Sequence, residues 1–77
     1  MAKFATYICV YFSDPEQGDT YAKFVTGLES HNIARWEAGK PAKKFSESFA
    51  RDIVFGLTLN GYAAAVIQVI DGVQLKN

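Results

Sequence analysis

The segment that most constrains this chain is 46–70, where a helical repeat runs into Asn60-Gly61 and continues at once as Tyr62-Ala63-Ala64-Ala65-Val66-Ile67-Gln68-Val69-Ile70. Phe49, Ile53 and Leu57 recur every four residues, which gathers them on one face of a helix. The run after the glycine is too short and too rich in Val and Ile for a second helix, and reads as a strand. Ser46 is placed to cap the helix, which is expected to reach about Leu59. An α-then-β unit is thus set, and the rest of the chain has to build a core around it.

Seventy-seven residues give one α+β domain, 1–77, and exclude two. A chain of this size has an expected radius of gyration of roughly 11 to 12 Å, which leaves no space for a deep enclosed catalytic cavity. Hydrophobic residues make up 49% of the sequence, with six Phe, four Tyr and one Trp among them. That is more than a small core covers, so some of it is expected to stay exposed for a partner.

The charges cancel, eight basic against eight acidic, so no net field draws the protein to nucleic acid or anionic membrane. They are unevenly placed, with Asp14, Glu16, Asp19 and Glu29 in one stretch and Arg35, Lys40, Lys43, Lys44 and Arg51 in the next. A lone Cys9 cannot form an internal disulfide, and the first residues show no secretory h-region; a cytoplasmic location is expected. The apolar runs fall short of the roughly 20 residues that span a bilayer, so a soluble chain without a membrane partner is expected.

Residues 3–12 alternate as a strand, with Phe4, Thr6, Ile8, Val10 and Phe12 on one side and Ala5, Tyr7, Cys9 and Tyr11 on the other. Ser13-Asp14-Pro15-Glu16 then reads as a helix start, and Tyr21, Phe24, Val25 and Leu28 follow at helical spacing to about Ser30, ended by His31-Asn32. Gly18 and Gly27 oppose that helix by on the order of 1 kcal/mol each. Short strands are expected over 33–38 and 42–45 around a Gly39-Lys40-Pro41 turn. Asp71-Gly72 makes a further turn, before a brief strand or tail at 73–75.

The resulting order, βαββαβ, is that of the ferredoxin-like fold: a four-stranded antiparallel sheet with two helices on one face. The alternative takes 20–26 as a strand, giving a βββαβ meander with one helix. The spacing of Tyr21, Phe24, Val25 and Leu28 favours the first. In that fold the helices cover Phe4, Ile8, Val10 and Phe12 with Ala63, Ala65, Ile67 and Val69. The other face then presents Tyr7, Cys9, Tyr11, Tyr62, Val66 and Ile70.

No catalytic, metal-binding or nucleotide-binding signature is present. His31 is the only imidazole and reads as a helix-end residue, Cys9 as a small core hydrophobe, and the glycines are scattered too singly to cradle phosphates. No cofactor or metal is expected. The candidate partner-binding residues are therefore Tyr7, Tyr11 and Tyr62 on the sheet face, and Arg35, Trp36, Lys40, Lys43, Lys44 and Arg51 in the basic segment. Basic residues with an interleaved aromatic suit phosphates and a stacked base. The glycine-aromatic motif of an RNA-recognition sheet is nevertheless missing from 41–45.

The expected function is a non-enzymatic regulator or inhibitor that occludes a surface on a larger protein. Size and motif poverty alone suggest a phage or mobile-element chain of the anti-CRISPR, anti-defence type. The partner is a protein or a second copy in a homodimer. A nucleic-acid-binding module using 35–51, or a small dimeric ferredoxin-like enzyme relying on His31, is the alternative.

Overall fold

The computed structural model describes residues 3–30 and 33–77. Strand β1, Phe4–Asp14, is the centre of a three-stranded antiparallel sheet, flanked by β2, Asp19–Phe24, and, at the far end of the chain, by β5, Ala63–Ile70. Between them come a two-stranded antiparallel sheet of β3, Gly27–Ser30, and β4, Ile33–Arg35, and the helix α1, Glu47–Leu59. Among the described residues the architecture is α+β, but with three and two strands and one helix in place of four strands and two helices.

The first expected helix is therefore a pair of strands, and the reason lies in Asp14. Its side chain accepts from the Glu16 N–H at 3.0 Å and its carbonyl from the Gly18 N–H at 2.8 Å, which makes a turn out of the chemistry that also caps helices. Gly18 takes φ +70°, a left-handed conformation that closes the hairpin and that a helix interior excludes. Ser13 then faces Thr20 and Phe12 faces Tyr21. The one-helix alternative is nearer to what is observed. His31 and Asn32 lie outside the described residues.

The helix matches its expected bounds. Ser46 caps it, its hydroxyl accepting from the Phe49 N–H at 3.3 Å. At the other end Tyr62 N–H donates to Leu57 C=O and Gly61 N–H to Thr58 C=O, both at 3.0 Å, with Gly61 at φ +89°. This is the paired closure that a left-handed residue after the cap permits, and it turns the chain straight into β5.

Ile8 and Val10 lie fully buried beneath Ala50, Ile53 and Leu57, and Val25, Leu28 and Ala34 complete the core from the β2 end and the two-stranded sheet. The register sets Ile8 opposite Val66 and Val10 opposite Ala64. Directly opposed residues share a face, so Ala64 and Val66 pack under the helix, while Ala63, Ala65, Ile67 and Val69 lie on the far face. This reverses the expected parity of the last strand and moves Val66 and Ile70 off the supposed Tyr-rich face.

Of the two strands expected around Pro41, 33–38 shortens to β4, which pairs with β3, and 42–45 reduces to an isolated bridge at Phe45, with another at Pro41. Phe45 N–H donates to Thr6 C=O, and 39–42 run against the chain end, with Ala42 N–H on Leu75 C=O and Asn77 N–H on Lys40 C=O. Asn77 also closes the edge of β2: its side-chain oxygen accepts from Phe24 N–H at 2.7 Å and its amide donates to Phe24 C=O at 2.8 Å. Among the described residues, no helix is long and apolar enough to cross a membrane.

Candidate functional site

Four aromatic rings from separate parts of the chain meet at one end of the sheet. Phe12 of β1 stacks on Tyr21 of β2 with centroids 5.3 Å apart, and lies 5.5 Å from Trp36 and 6.5 Å from Tyr62. Trp36 and Tyr62 meet edge to face at 5.2 Å. The β1–β2 register brings Phe12 to Tyr21, the residue after β4 supplies Trp36, and the closure of α1 supplies Tyr62. Offset and edge-to-face pairs of this kind contribute about 0.5–1.5 kcal/mol beyond the area they bury.

The cluster is not wholly enclosed. Tyr21 is 50% exposed and Tyr62 39%, and Ile33 of β4 stands out beside them at 52%. Ile33, Ala34, Trp36, Leu57, Asn60 and Tyr62 line an open depression of about 330 Å³. Its lining mixes the apolar side chains of Ile33, Ala34, Trp36 and Leu57 with the Tyr62 phenol and the Asn60 carboxamide.

Of the expected site residues, Trp36 and Tyr62 are brought together here. Tyr7 is not at any open face: it is 3% exposed and shares a second depression with Pro41, Ala42, Val73 and Leu75. The Tyr-rich face is thus closed where Tyr7 lies, and Tyr11, 41% exposed, stands beyond it on that face. Burial pushes the neighbouring Cys9 thiol above its ordinary value, partly offset by its hydrogen bond with Tyr11. A desolvated thiol is a poor nucleophile. The Cys9 charge in turn raises the Tyr11 phenol.

The basic segment is dispersed and largely matched with acids. Arg35 lies 3.8 Å from Glu37, Lys44 donates to Asp71 at 2.8 Å, and Arg51 pairs with Glu47 one helical turn away. The Asp71 partner holds the Lys44 ammonium above its usual range, and Lys44 holds the Asp71 carboxyl below its own. Lys40 and Lys43 have no ion pair among the described residues. Nor does any group of three or more His, Cys, Asp or Glu among those residues form a metal cluster.

Phe12, Tyr21 and Ile33 were not among the expected site residues. For Phe12 and Tyr21 the signal was the strand alternative for 20–26, which sets Tyr21 across from Phe12; Ile33 had no such signal. Compared with protein-family models, curated proteins and solved structures, the chain matches none.

Proposed function

We propose that this chain is a non-enzymatic protein-binding module, a regulator or inhibitor that occludes a surface on a larger protein through Tyr21, Ile33, Trp36 and Tyr62. The observation that supports it is the convergence of four aromatic rings on a partly open apolar surface beside a shallow depression. Tyr and Trp dominate interface cores because a large rigid ring carries much contact area and a polar tip at little entropic cost. A standard interface takes about 800 Å² from each partner. That is near 15% of the 5326 Å² this chain exposes, so occlusion lies within its reach. Its size suggests an anti-defence inhibitor of the mobile-element kind.

The test is affinity purification from the native host with the intact complex weighed, followed by reconstitution from purified components. Tyr21→Ala with Ile33→Ala, both at exposed positions, is expected to weaken the reconstituted complex by at least ~30-fold, as interface anchors do. Tyr11→Ala, on the far face, is expected to leave it unchanged. Recovery of self-association alone, or affinity untouched by the first pair, overturns the reading. Capture of nucleic acid that fades steeply with rising salt transfers the function to the basic segment.

A further inference from the structure

The outer edge of β5 is an eight-residue strand with no charged residue and no proline. Natural sheets guard such edges with Lys, Pro, bulges or a covering segment, because their unpaired N–H and C=O groups are templates for another strand. Which groups are unpaired follows from the hydrogen bonds at the strand ends. Asp71 N–H donates to Lys3 C=O at 2.8 Å, which turns the odd residues of β5 toward β1. The carbonyls of Thr6 and Ile8 accept from Phe45 and Val25, so the even residues of β1 turn the other way. Ala64, Val66, Gln68 and Ile70 therefore direct their backbone groups outward, and the Ile70 carbonyl is already held by Val73 N–H at 3.3 Å. Among the described residues β5 pairs with β1 alone.

We propose that β5 pairs antiparallel with β5 of a second copy across a two-fold axis at Val66, joining two three-stranded sheets into one of six strands. A two-fold contact needs a self-complementary strand. Around Val66 the sequence is one: Ala64 falls opposite Gln68 of the copy, Ala65 opposite Ile67, and Ala63 opposite Val69, so small residues meet large ones. Val66 exchanges both its N–H···O bonds with its own copy, and Ala64 does so with Gln68. No charge on the strand opposes the pairing, and this register leaves the occupied Ile70 carbonyl outside the central pairs.

A second copy, unlike a foreign strand, is always present at matching register and concentration. The axis runs perpendicular to the sheet, so both helices lie on the same face. It also sends the two aromatic clusters to opposite ends of the strands, which makes the dimer bivalent.

Light scattering and native mass measurement at about 100 μM, well above a micromolar Kd, are expected to return twice the chain mass. Gln68→Pro removes an outward N–H that β1 does not use, together with the Gln68 side-chain hydrogen bond to Thr6, and is expected to weaken dimerisation at least ~10-fold, whereas Gln68→Ala, which removes only that side-chain bond, is expected to leave it unchanged. Independently, Val66→Cys in a Cys9→Ala background is expected to give a covalent dimer on mild oxidation, because a hydrogen-bonded antiparallel pair holds its Cα atoms about 5.5 Å apart, within disulfide reach. Gln68→Cys, which faces Ala64 of the copy, is expected not to cross-link. A monomer at all concentrations overturns the proposal, as does a dimer indifferent to Gln68→Pro that fails to cross-link through Val66→Cys. Tyr21→Ala with Ile33→Ala is expected to leave the dimer intact, which separates this result from the fate of the aromatic interface.

Discussion

The two edges of the sheet are treated in opposite ways. On β2 the strand is six residues long, carries Asp19 and Lys23, and has the backbone of Phe24 closed on both sides by the Asn77 carboxamide. On β5 the strand is longer and uncharged, and its outward groups at Ala64, Val66 and Gln68 meet no other described segment. Both edges flank the same β1, so the difference comes from the sequence at each edge rather than from sheet topology. One edge ends a sheet and the other can extend it.

The largest expected effect tests what holds β5 in place. Leu57 lies on the buried face of α1, and Leu57→Ala is expected to cost about 2–5 kcal/mol. That is a large part of the roughly 4–12 kcal/mol that a domain of this length possesses. Urea unfolding measures it, and a loss below 1 kcal/mol would show that the helix is not what anchors the strand. Next comes the guard on β2. Asn77→Ala removes three side-chain hydrogen bonds, two to Phe24 and one to the Glu37 carbonyl, and is expected to cost about 1–3 kcal/mol. The Phe24 amide should exchange with solvent faster. If it keeps its protection, the carboxamide is not the closure of that edge.

A smaller and sharper effect is alternation along β5. In dilute protein the amides of Ala64, Val66 and Gln68 are expected to exchange at least ~10-fold faster than those of Ala65, Ile67 and Val69, which bond to β1. At high concentration the even set should gain protection while the odd set stays as it was. Equal protection of both sets in dilute solution would remove the open edge from the molecule.

How much of this could be read in advance depended on sequence distance. The helix was legible with its Ser46 cap and Gly61 closure, because cap, repeat and stop lie within one continuous segment. The hairpin at Asp14 was not, since Asp-Pro-Glu suits a helix start and a turn equally, and only pairing with β1 decides between them. Tyr21, Phe24, Val25 and Leu28 kept helical spacing, yet Tyr21 faces Phe12, Phe24 faces Cys9 and Val25 drops into the core. The parity of β5 was hidden for a related reason: with apolar residues on both faces, either face can be buried. The aromatic site followed the same rule. Trp36 and Tyr62 were singled out as members of separate features, and only long-range packing shows that they touch each other and Phe12.

The smallest effect concerns the turn that ends β5. Lys44 and Asp71 are joined at 2.8 Å but both are largely exposed, so solvent screens the pair and side-chain freedom offsets it. Asp71 is held below its ordinary carboxylate value by the Lys44 hydrogen bond and charge. Its contribution is therefore present above the unfolded carboxylate value and lost as pH falls through the lowered one. Lys44 is raised by the same partner, so its contribution holds below the ordinary lysine value and is lost as pH rises through the raised one. Between about pH 5 and 9 neither changes, and the pair adds no slope to stability. Asp71→Asn is expected to shift the melting temperature near neutral pH by an amount close to the limit of detection, and less in high salt. A large loss would mean that the charged turn, rather than the Asp71 N–H on Lys3, fixes the end of β5. The contrast between the guarded and the open edge would then lie in electrostatics instead of backbone pairing.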